Sequence, residues 1–469
     1  MTKDLTELTI AEASAAIAAK QLSPADLTEA YLARIEHLQP TVNAYITVTS
    51  DRARSDARAA ADEITRGTYR GPLHGIPIAL KDLYETAGIL TTAGSKVHGE
   101  YVPKDDSTAA RKLREAGSIL LGKTNTHEYA WGTTTNNPHY GPTHNPWNLD
   151  RIPGGSSGGS GAAIAARMAA GTLGTDTGGS IRIPAALCGC VGLKPTFGRV
   201  SKHGVFPMSW QFDHPGPIVK TVEDAAIMLQ AIAGYDPRDF STVPVPVDDY
   251  RATLNDGIRG LRIGVPRSFF FGLLQDEVRS AIEDALDVIR GLGAEVRDVE
   301  PGLTRELNGE AWPLVLAEGQ EYHTAFTTRK GDFGADLQSV LSAPLPDALG
   351  LTRAYRASYE VKQLFRQALE EVDLLLTPTT MRTASIIGEE QVLVGDTEMT
   401  TGGAFASLTM PFNIAGLPTL ALPCGFDADG LPISMQLAGR PFDEATVLRA
   451  GHAYEQATEW HKQRPPVAS

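Results

Sequence analysis

Cysteine is nearly missing from this 469-residue chain: three occur, Cys188, Cys190 and Cys424. So sparse and odd a count excludes a disulfide framework and fits reduced thiols in a cytoplasmic protein. The single C-x-C has no second ligand pair, so it reads as core and no metal site is expected. Long apolar runs are missing too. No stretch approaches the roughly 20 uninterrupted apolar residues of a membrane helix. The opening "MTKDLTELTI" is acidic and polar where a secretory signal is basic and then apolar. Positive charge is in short supply, with 42 Lys and Arg against 56 Asp and Glu, a net charge of −14. No field of that sign draws in phosphate, so neither nucleic acid nor an anionic membrane is expected as a partner.

Apolar and small residues are what the chain has in quantity. A hydrophobic share of 42% supplies a large core, and the length allows two to three domains or one large α/β body. Residues 1–65 read as helical. In "LSPADLTEAYLARIEHLQP", Ser23 is the N-cap, Pro24 opens the first turn and Pro40 is a stop. From 66 to 235 the texture alternates. "GIPIALKD" (75–82) and "GSILLGKTN" (117–125) have the look of buried strands, and "STAARKLREAG" (107–117) that of a helix between them. Residues 236–400 open on the loop "DPRDFSTVPVPVDDY" and are then largely helical, and 401–469 return to strand texture at "PTLALPCGF" (418–426).

Two motifs mislead. "GSILLGKT" (117–124) fits the phosphate-loop pattern, but Ile119, Leu120 and Leu121 suit a buried strand and not an exposed, turning backbone. "GSSGG" (155–159) fits the nucleophile-elbow pattern on Ser157, yet "HNPWNLDRIP" before it is a loop where a strand is required. The glycine–serine run "GGSSGGSG" (154–161) leads into "GAAIAARMAAG" (161–171), and a second run, "GTDTGGSIRIP" (174–184), follows. A flexible linker would not insert an apolar helix between its halves.

With "GIPIALKD", "PGGSSGGSGAA" and "GTDTGGSIRIPAALCGCVGLKPTFGRVS" in that order, the sequence resembles the amidase signature family. The resemblance runs nearly the whole length and is weakest between about 240 and 400. It implies a single α/β domain, a central mixed twisted β-sheet covered by α-helices, in which 236–400 forms part of the substrate pocket. It also implies a Ser–cisSer–Lys triad: Lys81 as base, Ser156 as bridging serine after a cis Gly155–Ser156 bond, and Ser180 as nucleophile. The oxyanion hole falls on Thr177, Gly178, Gly179 and Ser180, and Ser157 is expected as a supporting hydrogen bonder.

The chemistry agrees with the residue types. A serine hydroxyl needs a neighbouring base, and a lysine serves only when burial keeps it neutral, so activity should rise with pH. The apolar run before Lys81 suits that role; alone, the lysine would read as a partner of Asp82. Consecutive N–H groups over side-chain-free glycines suit an oxyanion. Asp176 and Arg182 flank the loop and read as its anchors. A Ser-His-Asp set stays open, since such sets form in space and His74, His127, His139, His144, His203 and His214 are available, though none lies in either serine run. His139 and His144 are poorly spaced as paired metal ligands.

Members of the family hydrolyse carboxamides, and some accept esters, anilides, ureas or carbamates. One branch is the glutaminase subunit of a tRNA-dependent amidotransferase. "GKTNTHEYAWG" (122–132) resembles that branch, but "SAPLPDALGLTRAYRASYEV" (342–361) stands where an arginine-rich segment would grip a glutamine carboxylate. Tyr129, Trp131, Phe206, Met208, Trp210, Trp312, Phe405 and Met410 are the expected pocket walls, which favours an aryl or alkyl amide, with carbamate or ester as extensions. The expected partner is then a small-molecule amide or carbamate, without cofactor, nucleic acid or membrane, the chain being a monomer or homodimer.

Overall fold

The two apolar runs read as strands, "GIPIALKD" and "GSILLGKTN", form neighbouring strands of one sheet. The computed structural model describes residues 4–468. Its strands are β1 Tyr45–Val48, β2 Pro77–Lys81, β3 Ile119–Thr124, β4 Asn136–Asn137, β5 Gly141–Pro142, β6 Gly171–Asp176, β7 Val191–Lys194 and β8 His214–Val219. They continue as β9 Arg262–Val265, β10 Glu295–Asp298, β11 Leu374–Pro378, β12 Gln391–Val394, β13 Thr397–Thr400, β14 Thr419–Phe426 and β15 Pro432–Gly439. Eleven of them make one sheet in the order β1-β3-β2-β6-β8-β7-β14-β15-β11-β9-β10, and two small hairpins pair β4 with β5 and β12 with β13. β2 runs parallel to both β3 and β6, whereas β6, β8, β7, β14 and β15 alternate, so the sheet is mixed.

Helices cover both faces, which is why the inner strands read as continuous apolar runs. β2, β6, β8 and β15 are buried at every residue. Gly158–Ala165 and Arg182–Cys188 pack on the sheet and on each other, and Val222–Ile232 and Glu444–Gln456 pack nearby. The sequence stretch at 161–171 is helical only to Ala165; β6 begins at Gly171.

Some expectations shift. The helix that starts at Pro24, with Ser23 Oγ accepting from Ala25 N–H at 3.2 Å, runs through Pro40 to Val42. Pro40 removes one donor in the last turn, where the freed carbonyl of exposed Glu36 can be hydrated; Asn43, at φ 51°, ends the helix. The amino-terminal stretch also supplies a strand, β1, which edges the sheet against β3. The phosphate-loop pattern is β3, and its Lys123 is fully buried, 3.4 Å from Asp82 and donating to the Tyr84 carbonyl at 2.6 Å. Among the described residues no helix is long and apolar enough to cross a membrane.

Candidate active site

Lys81 is the last residue of β2 and is completely buried. Its Nζ lies 2.7 Å from Ser156 Oγ and 2.8 Å from Thr175 Oγ1. Burial pulls its pKa down to about 7, opposed by the carboxylates of Asp213 and Asp176. Asp82 is not its partner, because that carboxylate faces Lys123. An amine that is half neutral near pH 7 and touches a hydroxyl can take a proton from it.

The glycine run makes this contact possible by letting backbone approach backbone. The Gly155–Ser156 peptide is cis. A Cβ on Gly155 would stand 2.6 Å from Thr134 N, and one on Gly159 2.5 Å from Asn125 N. The Ser156 carbonyl accepts from His127 N–H at 3.1 Å and Thr126 Oγ1 at 2.9 Å, so the 126–135 loop wraps this serine. Ser157 ties the run to its neighbours: Thr175 N–H donates to its Oγ at 3.3 Å, and its own N–H donates to the Ser180 carbonyl at 3.3 Å.

Ser180 sits on the turn between β6 and the helix Arg182–Cys188 and is 7% exposed. Its hydroxyl and that of Ser156 are not hydrogen-bonded to each other among the described residues; such contacts often tighten only when substrate binds. Asp176 Oδ2 takes the N–H groups of Ile181 and Arg182 at 3.2 and 3.3 Å, and the Gly179 carbonyl takes that of Ile183 at 2.7 Å. The N–H groups of Gly178, Gly179 and Ser180 are left without a partner among the described residues. Gly179 has φ +136°, and a Cβ there would stand 2.2 Å from Thr409 Oγ1, so only glycine fits.

Two anchors hold this turn. Arg182 grips Asp176 with Nε–Oδ2 and Nη2–Oδ1 contacts of 3.0 Å each, and reaches Asn413 Oδ1 at 2.6 Å and Gln436 Oε1 at 2.9 Å. Burial works against the Asp176 charge, yet Arg182, Lys194 and Asn413 hold the carboxyl well below its usual range. The second anchor is Asp213, unnoticed in the sequence. Its Oδ1 accepts from Thr177 Oγ1 at 2.6 Å and its Oδ2 from Met208 and Ser209 N–H at 2.9 and 3.0 Å. Arg182→Ala strands a buried carboxylate and should cost about 3–5 kcal/mol. Calorimetry checks this; an unchanged melting temperature would remove Arg182 as an anchor.

Most of the expected aromatic residues do meet. Tyr129 and Phe206 pack edge to face at 6.2 Å, Trp131 and Trp312 at 6.4 Å, and Trp210 packs on Tyr322 at 6.5 Å. Met208 belongs to the loop that Asp213 holds, and Met410 Sδ lies 3.2 Å from where a Gly178 Cβ would be. Trp210 and Trp312 are 39% and 45% exposed. Phe405 is a correction. It is fully buried in a separate cluster with Ile152, Ile183, Leu187, Ala384 and Leu431, because the short helix Thr401–Ala406 turns it inward. His98, Tyr322, His323 and Phe326 pack into the same cluster, against Phe206 or Tyr129, and carry no signal in the sequence.

Among the described residues no histidine bonds to Ser156, Ser157 or Ser180. The rings of His127, His139, His144 and His214 contact Thr134, Glu128, the Leu149 carbonyl and the Phe212 carbonyl instead. No group of three or more His, Cys, Asp or Glu side chains there is placed to hold a metal ion. Cys188 and Cys190 are buried thiols whose pKa burial pushes up.

Known proteins carry the same pattern. The sequence pattern of the family described as Amidase matches residues 26–448. A glutamyl-tRNA(Gln) amidotransferase subunit from Geobacter metallireducens is 43% identical over 491 residues, covering 99% of this chain and all of that one. Two solved structures are similar at TM-scores of 0.90 and 0.89. The first, from a vestigial protein complex that reveals the evolutionary origins of an s-triazine catabolic enzyme, is 36% identical and covers 96% of this chain and 98% of its own. The second, a bacterial aryl acylamidase of the amidase signature enzymes, is 29% identical and covers 97% and 98%. The expected partners need correction: a lone small-molecule substrate, no nucleic acid and a monomer or homodimer do not match full-length relatives named as subunits of a glutamyl-tRNA(Gln) amidotransferase. Net charge is a whole-chain average and says nothing about one docking face. The signature runs, the mixed sheet they build and the match across 26–448 lead to one conclusion: the chain belongs to the amidase signature family.

Proposed function

We propose that the chain cleaves a carboxamide by acyl transfer to Ser180, as the glutaminase-type subunit of a tRNA-dependent amidotransferase. The observation that carries the chemistry is the dry 2.7 Å contact between Lys81 and Ser156. Neutral Lys81 accepts the Ser156 proton while Ser156 accepts that of Ser180, and Ser180 Oγ bonds to the carbonyl carbon. The carbonyl electron pair moves onto oxygen, where the free N–H groups of residues 178–180 meet it, each worth roughly 3 kcal/mol. Collapse breaks the C–N bond, and the leaving nitrogen takes its proton back from Lys81 through Ser156. Water then attacks the acyl-enzyme by the same relay. The assignment of the chain to the glutaminase branch is supported by its full-length similarity to the Geobacter metallireducens protein.

A second reading keeps the same centre and changes the substrate to an aryl or alkyl amide, with carbamate or ester bonds as extensions. It is favoured by the aromatic wall and by the likeness to an aryl acylamidase. It is favoured as well by residues 342–361, which are not arginine-rich. Ammonia release from glutamine, measured beside turnover of 4-nitroacetanilide, an aryl carbamate and benzamide, separates the two. The glutaminase reading expects glutamine to be the best substrate; anilide turnover with inert glutamine would replace it by the second.

A further inference from the structure

The helix Trp312–His323 lies outside the signature runs, yet it touches both loops that frame Ser156 and Ser180. Towards the first loop it presents Gly319 and His323. A Cβ on Gly319 would stand 2.0 Å from Trp131 Cζ2, so the indole rests directly on the helix backbone. His323 packs edge to face on Tyr129 at 4.7 Å. Trp131 and Tyr129 belong to the 126–135 loop, whose backbone abuts Gly155 at Thr133 and Thr134. Towards the second loop the helix presents Glu318. That carboxylate accepts from Ser209 Oγ and from Gln211 Nε2, the latter at 2.7 Å. Asp213 ties the same loop to Thr177.

The wall so formed carries unspent hydrogen-bonding capacity. The Tyr129 hydroxyl interacts with the Ser95 side chain, whereas Trp131 Nε1 and His323 Nε2 are buried without a partner among the described residues. Such atoms in an apolar wall call for one. His323 Nδ1 contacts the Gly319 carbonyl at 2.7 Å, so it carries the proton, and burial lowers the ring's pKa. Nε2 is therefore an acceptor, Trp131 Nε1 is a donor, and Tyr129 Oη can be either. None of these three atoms is charged.

We infer that the helix Trp312–His323 is the specificity wall of this site, and that Gly319, by seating Trp131, sets it for an uncharged aryl-bearing substrate. This deepens the second reading and rests, with it, on acylation of Ser180. A side chain at 319 displaces the indole into the space an aryl group would occupy, while a small amide needs none of that space.

The test is the ratio of kcat/KM for 4-nitroacetanilide to that for acetamide. Gly319→Ala should lower the ratio about tenfold, the scale of one misplaced apolar group. Adding Trp131→Phe, which removes the ring atoms facing residue 319, should recover most of the loss. Glu318→Ala, which frees the 209–211 loop, should lower the ratio in the same direction and serves if Gly319→Ala does not fold. An unchanged ratio in a folded Gly319→Ala or Glu318→Ala chain, or no recovery with Trp131→Phe, overturns the inference. Inert 4-nitroacetanilide beside active glutamine in the unaltered chain would overturn the inference together with the second reading, whereas failure of a fluorophosphonate to label Ser180 would sink the acyl-transfer reading.

Discussion

Ser180→Ala should leave a folded chain that has lost amide turnover by a factor on the order of 10⁴ or more. The size follows from what remains. Without Oγ no acyl-enzyme forms, and the free N–H groups at 178–180 can stabilise only attack by water. Fold stability should change little, because Ser180 contributes its carbonyl and not its hydroxyl to the bond with Ser157 N–H. Lys81→Ala and Ser156→Ala should each cost a comparable factor, and the double variant little more, since residues that work as one unit are not additive. Mass spectrometry after phenylmethylsulfonyl fluoride should find the adduct on Ser180. An adduct on Ser157, or near-full turnover by Ser180→Ala, would move the nucleophile elsewhere.

The second large effect is on pH dependence. In the proposed relay Lys81 acts as the neutral amine, which predominates above its pKa, so kcat/KM should rise with pH. With that pKa pulled down to about 7, the rise should approach tenfold per unit below 7 and level off above it. An exposed lysine would put the same limb near 10.4. Lys81→Arg places a bulkier cation there that cannot be deprotonated, so the plateau should vanish at every pH. A wild-type profile that is flat from pH 5 to 9 would contradict a lysine base.

Much of this centre was legible because its parts sit in continuous runs. Lys81 ends an apolar stretch that could only be a buried strand, and burial is what its role demands. The glycines of 154–159 and 178–179 announced close backbone approach, and their missing Cβ positions are indeed occupied by Thr134, Asn125 and Thr409. Arg182 and Asp176 stood at the right places to clamp the turn. Thr175 was overlooked although it lies inside the same run, since only the fold brings its hydroxyl to Lys81.

Less could be read where contacts join distant segments. Asp213 in "WQFDHPGP" looks like a loop acid, and nothing local reveals that it accepts three hydrogen bonds from two loops. Tyr322 and His323 come from a helical region with no motif, and their packing on Tyr129 is a product of tertiary docking. Phe405 misled for the opposite reason. Its setting, "GGAFASL", has the composition of a loop, but the residues form a helical turn that buries the ring in a second small core. Pro40 misled because a proline near a helix end removes one hydrogen bond and need not end the helix.

The most direct measurement follows the Lys81 amine itself, by the pH titration of its ¹³Cε chemical shift in selectively labelled chain, assigned against Lys81→Arg. A midpoint near 7, well below every exposed lysine, is the expected result. A midpoint in the ordinary lysine range, above 10, would mean that the ammonium persists beside Ser156 at working pH and that no base is there to take its proton.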